Sequence, residues 1–168
     1  MQTGDTPAMK FAVFRIGEED FAVDISRVVE FLRPQRVYAL PELPDFVSGV
    51  ITVRGEVLPL LDLRKRFSIQ SSQTEELIII VRYDDEKIGL LVDEIKEILS
   101  LTPGEITAPP KIFKGVKKTY LTGLGKKDER VIILLNIDHL LSSEEKIMLK
   151  DSEEDMGNNA GTGKITER

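Results

Sequence analysis

Apolar residues in this chain recur in short runs that alternate with tight polar turns. The runs cover residues 9–16, 21–25, 77–83 and 87–92, and each is rich in Val, Ile, Leu or Phe. Within each pair, a few residues of the Gly, Asp or Glu type separate the two runs, which is the pattern of a β-hairpin. The pattern therefore predicts a mainly β protein built from short hairpins.

The stretch over residues 48–63 (SGVITVRGEVLPLLDL) shows this pattern most clearly. Apolar residues flank a central Arg54-Gly55 pair, and the stretch closes with Asp62, a residue type that caps helices. It predicts a strand, a tight turn, a second strand and the start of a short helix. A further helix is expected over about residues 137–150, where apolar residues recur at helical spacing after a capping Asn136.

The two ends of the chain lack the strand pattern. Residues 1–8 have no periodicity and predict a flexible leader. From residue 151 the composition turns acidic and then rich in Gly and Asn, so residues 151–168 are expected to form a disordered acidic tail. Residues 9–150 are thus expected to form the folded part.

The folded part contains an internal duplication. Residues 11–32 align with residues 78–99 at a constant offset of 67 positions. Residues 57–63 align with residues 131–137 at an offset of 74. The difference of 7 between the two offsets places extra residues in the middle connection of the second copy.

Each copy holds four or five short strands and no connecting helix long enough for a parallel β-α-β unit. Closing such strands into a small antiparallel barrel removes exposed strand edges. The sequence therefore predicts two small antiparallel β-barrels, one over about residues 9–68 with pairing segments and the other over about residues 77–136. Barrels of this size have modest cores, so they should pack against each other along a shared apolar seam.

Composition narrows the classes of function. The absence of Cys among 168 residues excludes disulfides, thiolate catalysis and Cys-ligated metal, and it agrees with a reducing cytoplasm. No apolar run approaches the ~20 residues of a membrane span, and no secretory h-region is seen, so a cytoplasmic protein without membrane insertion is expected. The net charge of −6 disfavours general nucleic-acid binding, which needs a basic field.

No catalytic constellation can be assembled from the residues. His139 is the only histidine and has no partner motif. The acidic turns at residues 18–20 and 84–86 lack the ligand spacing of a Ca²⁺ loop, and the GLGKK segment lacks the span and the Ser or Thr of a phosphate loop. The protein is therefore predicted not to be an enzyme and to need no metal or cofactor.

Four segments, spread over about residues 10–149, carry a resemblance to a known family. They are FAVFRIGEEDFAVDISRVVEFL, PELPDFVSGVITVRGEVLPLLDLRKRF, KIGLLVDEIKEIL and YLTGLGKKDERVIILLNIDHLL. In this order they resemble the chemotaxis coupling-protein (CheW) family in its free-standing, single-domain form. The resemblance implies two SH3-like, five-stranded β-barrels with short helices, which agrees with the duplication.

The resemblance also implies a function. Members of this family are non-enzymatic adaptors that couple the cytoplasmic tips of chemoreceptors to the regulatory domain of a CheA-type histidine kinase. Such an adaptor is cytoplasmic, is mostly monomeric alone, and is recruited to membrane-associated receptor arrays. An adaptor of a non-motility chemosensory pathway would share this chemistry and remains open. The alternative of a different class is a small-barrel nucleic-acid-binding protein that uses the basic loop over residues 111–130.

Four candidate partner-binding residues follow from the resemblance. Arg54 falls on the motif arginine associated with partner coupling, where its planar guanidinium can clamp an acidic or carbonyl-rich surface; a solvated turn arginine is the alternative. Val28 and Glu30 lie on the segment that the family uses to touch the kinase regulatory domain, although Val28 is equally compatible with the core. Gly49 lies beside the expected receptor groove, and backbone geometry explains it better than contact does.

The basic loop over residues 111–130 provides the remaining candidates. It carries seven Lys and Arg residues against two acidic ones. The plain interpretation is a solvated, mobile loop. The functional hypothesis is a second kinase or adaptor contact, in which Ile112 or Phe113 serves as an apolar anchor in a polar surround.

Overall fold

The computed structural model describes residues 8–71, 76–159 and 166–167. Within these residues the chain is mainly β, and its strands form two large sheets and one small hairpin. The strands are β1 (Met9–Ile16), β2 (Glu19–Asp24), β3 (Val28–Leu32), β4 (Tyr38–Ala39), β5 (Val47–Val53), β6 (Glu56–Asp62), β7 (Leu77–Tyr83), β8 (Glu86–Val92), β9 (Glu94–Leu101), β10 (Ile106–Thr107), β11 (Ile112–Phe113), β12 (Val116–Lys117), β13 (Leu121–Lys127), β14 (Arg130–Leu135) and β15 (Thr166–Glu167).

The helical elements are short except at the C-terminal end. The helices are α1 (Leu63–Arg66) and α2 (Ser143–Asn159), and single 3₁₀ turns cover Ile25–Arg27, Pro103–Glu105, Lys118–Tyr120 and Ile137–His139. Asp62 caps α1 as predicted, because its Oδ1 accepts a hydrogen bond from the backbone N–H of Arg64 at 3.0 Å.

The C-terminal helix begins later than predicted, and Asn136 does not cap it. Asn136 precedes the 3₁₀ turn and makes no side-chain capping hydrogen bond. Instead, the backbone N–H of Glu145 donates to Ser142 Oγ at 3.1 Å, and the N–H of Ser142 donates to Glu145 Oε1 at 2.7 Å. This reciprocal pair is a capping box, and it marks the helix start more strongly than a lone Asn does.

Helix α2 also continues beyond the predicted end. It runs to Asn159, and Thr166–Glu167 form β15 against β4, so the disordered tail expected from residue 151 is wrong for residues 151–159 and 166–167. A helix with a capped start and no Pro continues readily, because propagation costs far less than nucleation. Residues 160–165 and 168 of the predicted tail, and residues 1–7 of the predicted leader, lie outside the described residues.

Each large sheet supplies the five long strands of an SH3-like barrel. The first sheet has the order β10-β13-β14-β2-β1-β9, and the second has the order β15-β4-β5-β6-β8-β7-β3. The ladders are antiparallel, as predicted, except that one ladder in each sheet is parallel: β14 with β2, and β6 with β8. The predicted fold class is confirmed.

The barrels do not follow one another along the chain, as the predicted boundaries of 9–68 and 77–136 required. One barrel is continuous and spans residues 28–92, whereas the other is split between residues 9–24 and residues 94–135. We call them the continuous barrel and the split barrel. The β1–β2 hairpin of the first repeat completes the barrel of the second repeat, and β7–β8 does the reverse. The short connections Ile25–Arg27 and Asp93 carry the chain between the barrels.

The register of the strands confirms the duplication. Val28 on β3 lies opposite Val81 on β7, and Ile95 on β9 lies opposite Phe14 on β1, so each pair maps onto the other at the offset of 67. Both ladders contain a register shift at this matching position. The two copies therefore share the same backbone geometry, including a β-bulge at the equivalent position.

The later part of each repeat matches at the offset of 74. Val47 on β5 lies opposite Leu61 on β6, and Leu121 on β13 lies opposite Leu135 on β14. The extra residues of the second copy form the β11–β12 hairpin, for which residues 40–46 of the first copy contain no equivalent strand pair. The insertion is therefore an ordered element.

The largest apolar cluster joins the two barrels. Phe14 and Phe21 come from the split barrel, with ring centroids 6.0 Å apart, and Phe21 stacks at 5.4 Å on Phe67, which follows α1 within the continuous barrel. Tyr120 of the split barrel closes the row 5.5 Å from Phe67. Two smaller clusters fill the individual barrels. The predicted shared seam is thus the main core of the molecule.

Candidate functional site

Arg54 lies at the tip of the β5–β6 hairpin. The backbone φ angle is 52° at Arg54 and 81° at Gly55, the two positive values that a type I′ turn requires. Gly55 adopts such an angle at little cost, which explains its place in the turn. The turn leaves the Arg54 side chain 77% exposed, above the surface of β3.

Arg54 forms a two-pronged ion pair with Glu30 on β3. Its Nε donates to Glu30 Oε2 at 3.0 Å, and its Nη2 donates to Oε1 at 3.1 Å. The hydrogen bonds from Arg54 lower the pKa of Glu30, and the same bonds raise the pKa of Arg54. Both groups are therefore charged at neutral pH. The pairing fixes the plane of an exposed guanidinium whose other N–H donors can serve a partner.

The remaining residues of β3 divide between core and surface. Val28 is half-buried, and the shared core covers much of its side chain, in agreement with the core interpretation. Phe31 is 41% exposed on an edge strand of the continuous barrel; it follows Glu30 in sequence, and its side chain points to the opposite face of the strand. Sequence reasoning missed Phe31, although VVEFL contains more apolar residues than one buried strand face needs.

Gly49 is explained by a close backbone approach. A Cβ atom at Gly49 would lie 2.3 Å from the carbonyl oxygen of Tyr38, and the φ angle of Gly49 is +143°. The repeat-equivalent Gly123 has the same relation to β10, because a Cβ there would lie 2.7 Å from the carbonyl oxygen of Thr107. The structure thus gives both glycines a role in strand packing, and a partner contact at Gly49 stays a prediction.

The β11–β12 hairpin contains the second pair of predicted contact residues. Ile112 is 65% exposed, whereas Phe113 is half-buried and packs against the shared core. Lys114 lies at the turn, with its Nζ 3.6 Å from Glu19 Oε1. Phe113 therefore anchors the hairpin, and Ile112 is the side chain available to another molecule.

Several residues of the basic loop are bound to the body of the protein. Lys127 Nζ donates to the carbonyl oxygen of Ser100 at 2.8 Å, and Arg130 pairs with Asp20 at 3.2 Å and with Glu97 at 3.1 Å. With Lys114, three of its seven basic residues are thus bound to the body of the protein. The other four basic residues are exposed, as the plain interpretation predicted, and the mobility of the loop stays a prediction.

Sequence reasoning also missed a buried carboxylate between the barrels. Asp93 is 2% exposed; its Oδ2 accepts hydrogen bonds from the backbone N–H of Gly17 at 2.7 Å and from Ser71 Oγ at 2.6 Å. Arg64 Nη1 lies 3.6 Å from Oδ1, and Arg15 Nη1 lies 3.9 Å from Oδ2. A lone Asp after an apolar strand gives no sequence signal for such a network, which holds the crossing point from β8 to β9.

In residues 8–71 and 76–151, no group of three or more His, Cys, Asp or Glu side chains is placed to hold a metal ion. His139 lies on the 3₁₀ turn, with Nδ1 3.1 Å from Asn136 Nδ2. No helix in the described part of the chain is long and apolar enough to cross a membrane.

Two SH3-like barrels that exchange hairpins and share one core define a class of double-barrel domain. The family model of the CheW-like domain matches residues 10–145. The chain therefore belongs to the CheW-like domain family, as the sequence resemblance predicted.

Relatives of known name agree with this assignment. The chain is 35% identical over 148 residues to the chemotaxis protein CheW of Klebsiella aerogenes, covering 87% of this chain and 89% of that protein. It is 32% identical over 139 residues to the chemotaxis protein CheW of Thermotoga maritima, covering 82% and 89%. The crystal structure of the scaffolding protein TtCheW from Thermoanaerobacter tengcongensis matches with a TM-score of 0.79 and 32% identity, covering 85% of this chain and 99% of that one.

Proposed function

We propose that this protein is a non-enzymatic adaptor that couples the cytoplasmic tips of chemoreceptors to a CheA-type histidine kinase in bacterial chemotaxis. Membership of the CheW-like family supports the adaptor role, and the relatives are chemotaxis and scaffolding proteins by name. The observation that carries the proposal is the Arg54–Glu30 pair, because two predicted partner-binding residues 24 positions apart meet at one surface.

The first partner surface combines charge with an apolar side chain. Arg54 offers a fixed planar donor, and the exposed ring of Phe31 lies on the same strand as Glu30. Glu30 and Phe31 are neighbours along β3 and point to opposite faces of it, so a partner that covers this edge strand meets both the arginine and the aromatic ring, two residue types that are enriched in binding hot spots. We assign this surface to the regulatory domain of the kinase, with Val28 contributing the part of its side chain that the core leaves uncovered.

The second partner surface is on the split barrel. Ile112 is exposed at the β11–β12 hairpin, and Lys111, Lys114 and Lys117 surround it with positive charge. An apolar anchor within a polar rim fits a protein partner, here a second kinase or adaptor contact. The receptor tip then binds beside the β4–β5 ladder, where Gly49 keeps the backbones close.

The cellular setting follows from these assignments. The adaptor is a cytoplasmic protein, mostly monomeric alone, that partners recruit to membrane-associated arrays. An adaptor of a non-motility chemosensory pathway would use the same surfaces with different partners. The nucleic-acid alternative is not favoured, because the net charge is −6 and ion pairs occupy several residues of the basic loop.

Co-sedimentation with receptor-containing membranes and the kinase tests the proposal. The wild-type protein should sediment with both partners, whereas Arg54→Ala and Val28→Asp should both lose the kinase and still sediment with the receptor-containing membranes. Circular dichroism checks that each variant remains folded. Asp85→Ala, an exposed turn residue on another hairpin, serves as the matched control and should behave as wild type. Wild-type assembly by both site variants would reject the site assignment, and failure of the wild-type protein to sediment would reject the function.

A further inference from the structure

The two barrels present equivalent aromatic rings to each other. Phe46 precedes β5, and its carbonyl oxygen accepts a hydrogen bond from the N–H of Asp62 at 2.7 Å. Tyr120 precedes β13, and its carbonyl oxygen accepts from the N–H of Asn136 at 2.8 Å. Both members of the second pair lie 74 positions after those of the first. Phe46 and Tyr120 therefore hold the same place in the continuous barrel and the split barrel.

Arg66 lies between these two rings. Its guanidinium carbon is 4.0 Å from the ring centroid of Phe46 and 4.8 Å from that of Tyr120. The side chain is only 11% exposed. The residue at the equivalent place in the second repeat is Leu140, which is fully buried. One cation thus bridges a pair of rings that the duplication placed on opposite sides of the seam.

The same guanidinium binds the C-terminal helix. Arg66 Nη1 donates to Glu145 Oε2 and Nη2 donates to Oε1, both at 3.0 Å. Glu145 also forms the capping box with Ser142, so its carboxylate is fixed at the first turn of α2. Leu149, one turn further along α2, is buried in the shared core. Arg66 therefore touches both barrels and the helix at once.

The physical properties of this contact make it directional. A cation is attracted to the face of an aromatic ring, and the attraction strengthens when water is excluded. A two-pronged carboxylate contact also fixes the guanidinium in its own plane. The apolar seam holds the barrels together but is less directional, because the hydrophobic effect scales with area and not with angle.

We propose that Arg66 is a positioning residue that fixes the relative orientation of the two barrels, and that Glu145 couples this orientation to the docking of α2. The apolar seam provides the association, and Arg66 adds a directional contact between the barrels, on top of the Asp93 network at the crossing point. A consequence that rests on the proposed function is that the Arg54 surface and the Ile112 surface are held at a set geometry for their partners. The positioning role itself needs no partner.

The chain has no Cys, so two spin labels can be introduced without competing thiols. Asp85→Cys labels the exposed β7–β8 turn of the continuous barrel, and Lys126→Cys labels the exposed face of β13 in the split barrel. Double electron–electron resonance on the isolated, full-length protein then gives the distribution of distances between the barrels. Because no partner is present, a failure of the proposed function does not affect the result.

The parent protein should give a narrow distance distribution, and its width should roughly double in Arg66→Met. Without the contact made by Arg66, the two barrels can move relative to each other by hinge motion. Glu145→Gln, which keeps the shape of the side chain and removes its charge, should broaden the distribution in the same direction. Lys65→Met, an exposed cation on the same helix, should change nothing.

Parent-like mean and width in folded Arg66→Met would overturn the positioning role. A parent-like distribution in Glu145→Gln would overturn the coupling to α2. Should Arg66→Met not fold, Arg66→Lys takes its place with the same expectation and the same refutation, since it keeps a cation near the rings but loses the two-pronged contact with the carboxylate.

Discussion

Arg54 Nε lies 3.0 Å from Glu30 Oε2, whereas Glu97, the repeat equivalent of Glu30, is bound by Arg130 at 3.1 Å. Asp128 occupies the position of Arg54 in the second copy. The duplicated scaffold therefore neutralises the same glutamate in two ways, from a hairpin tip in one barrel and from strand β14 in the other. Only the first way exposes the arginine to a partner.

The first prediction separates the arginine from the ion pair. Arg54→Ala should weaken binding of the isolated kinase regulatory domain about tenfold or more, as loss of a hot-spot arginine does. The charge swap Arg54→Glu with Glu30→Arg should restore the ion pair but not the binding, because the partner binds a planar guanidinium at the tip of the β5–β6 hairpin. Isothermal titration calorimetry measures both.

Lys96→Ala provides the control for this prediction. Lys96 Nζ donates to Asp20 Oδ1 at 3.0 Å, so the variant breaks a comparable surface ion pair in the split barrel, away from the Arg54–Glu30 pair. It should leave the affinity unchanged. Recovery of binding by the charge swap would instead mean that the pair acts only as a brace between β3 and the hairpin.

The second prediction concerns the close backbone approach at Gly49. Gly49→Ala should lower the free energy of unfolding by about 2 kcal/mol or more, because the added Cβ meets the Tyr38 carbonyl at a strained φ angle. Gly123→Ala should destabilise the protein as well. Gly104→Ala, where the nearest atom is 3.9 Å from the added Cβ, is the control and should be nearly neutral. Chemical denaturation measures all three, and a neutral Gly49→Ala would contradict the packing role.

The third prediction concerns the buried carboxylate at the crossing point. Asp93→Ala should destabilise the fold by roughly 3 kcal/mol, because it removes the anion that Arg64 and Arg15 face and the acceptor of the Gly17 N–H. Asp85→Ala removes an exposed Asp and should change stability by no more than about 0.5 kcal/mol. Equal unfolding midpoints in urea for the two variants would show that the network does not contribute.

Much of the fold can be predicted from the local sequence pattern, but the exchange of the β1–β2 and β7–β8 hairpins between the barrels cannot. The hairpins, the repeat and the Asp62 cap depend on residues near one another in sequence, so they are predictable. The β1–β2 hairpin has the same alternation whichever barrel it joins, so only tertiary packing decides its partner. The short connection Ile25–Arg27 is the physical clue, because it leads β2 directly into the other barrel.

The site divides in the same way. The family resemblance indicates Arg54 and Glu30 separately. Their contact depends on the β5–β6 turn, which directs the Arg54 side chain towards Glu30, 24 positions earlier on β3. Phe31 could not be recognised from the sequence, because its apolar neighbours on β3 make it resemble a core residue. Arg66 gave no signal as one cation in a basic run, since its role arises from two rings brought together by the fold.

The last prediction concerns pH and the docking of α2. Burial raises the pKa of Glu145, but hydrogen bonds from Arg66 and from Ser142 outweigh this effect and leave the pKa below its ordinary value. A carboxylate with a lowered folded-state pKa stabilises the fold above its unfolded pKa of about 4.3, and this stability is lost as the pH falls through the folded value. Between about pH 6 and pH 3, the wild-type protein should therefore lose more stability than Glu145→Gln.

Thermal unfolding midpoints of the wild-type protein and of Glu145→Gln across this pH interval measure the difference. Glu144→Gln, which removes the adjacent exposed carboxylate, is the control and should follow the wild-type curve. Parallel curves for wild type and Glu145→Gln would contradict a charged contact between Arg66 and the helix.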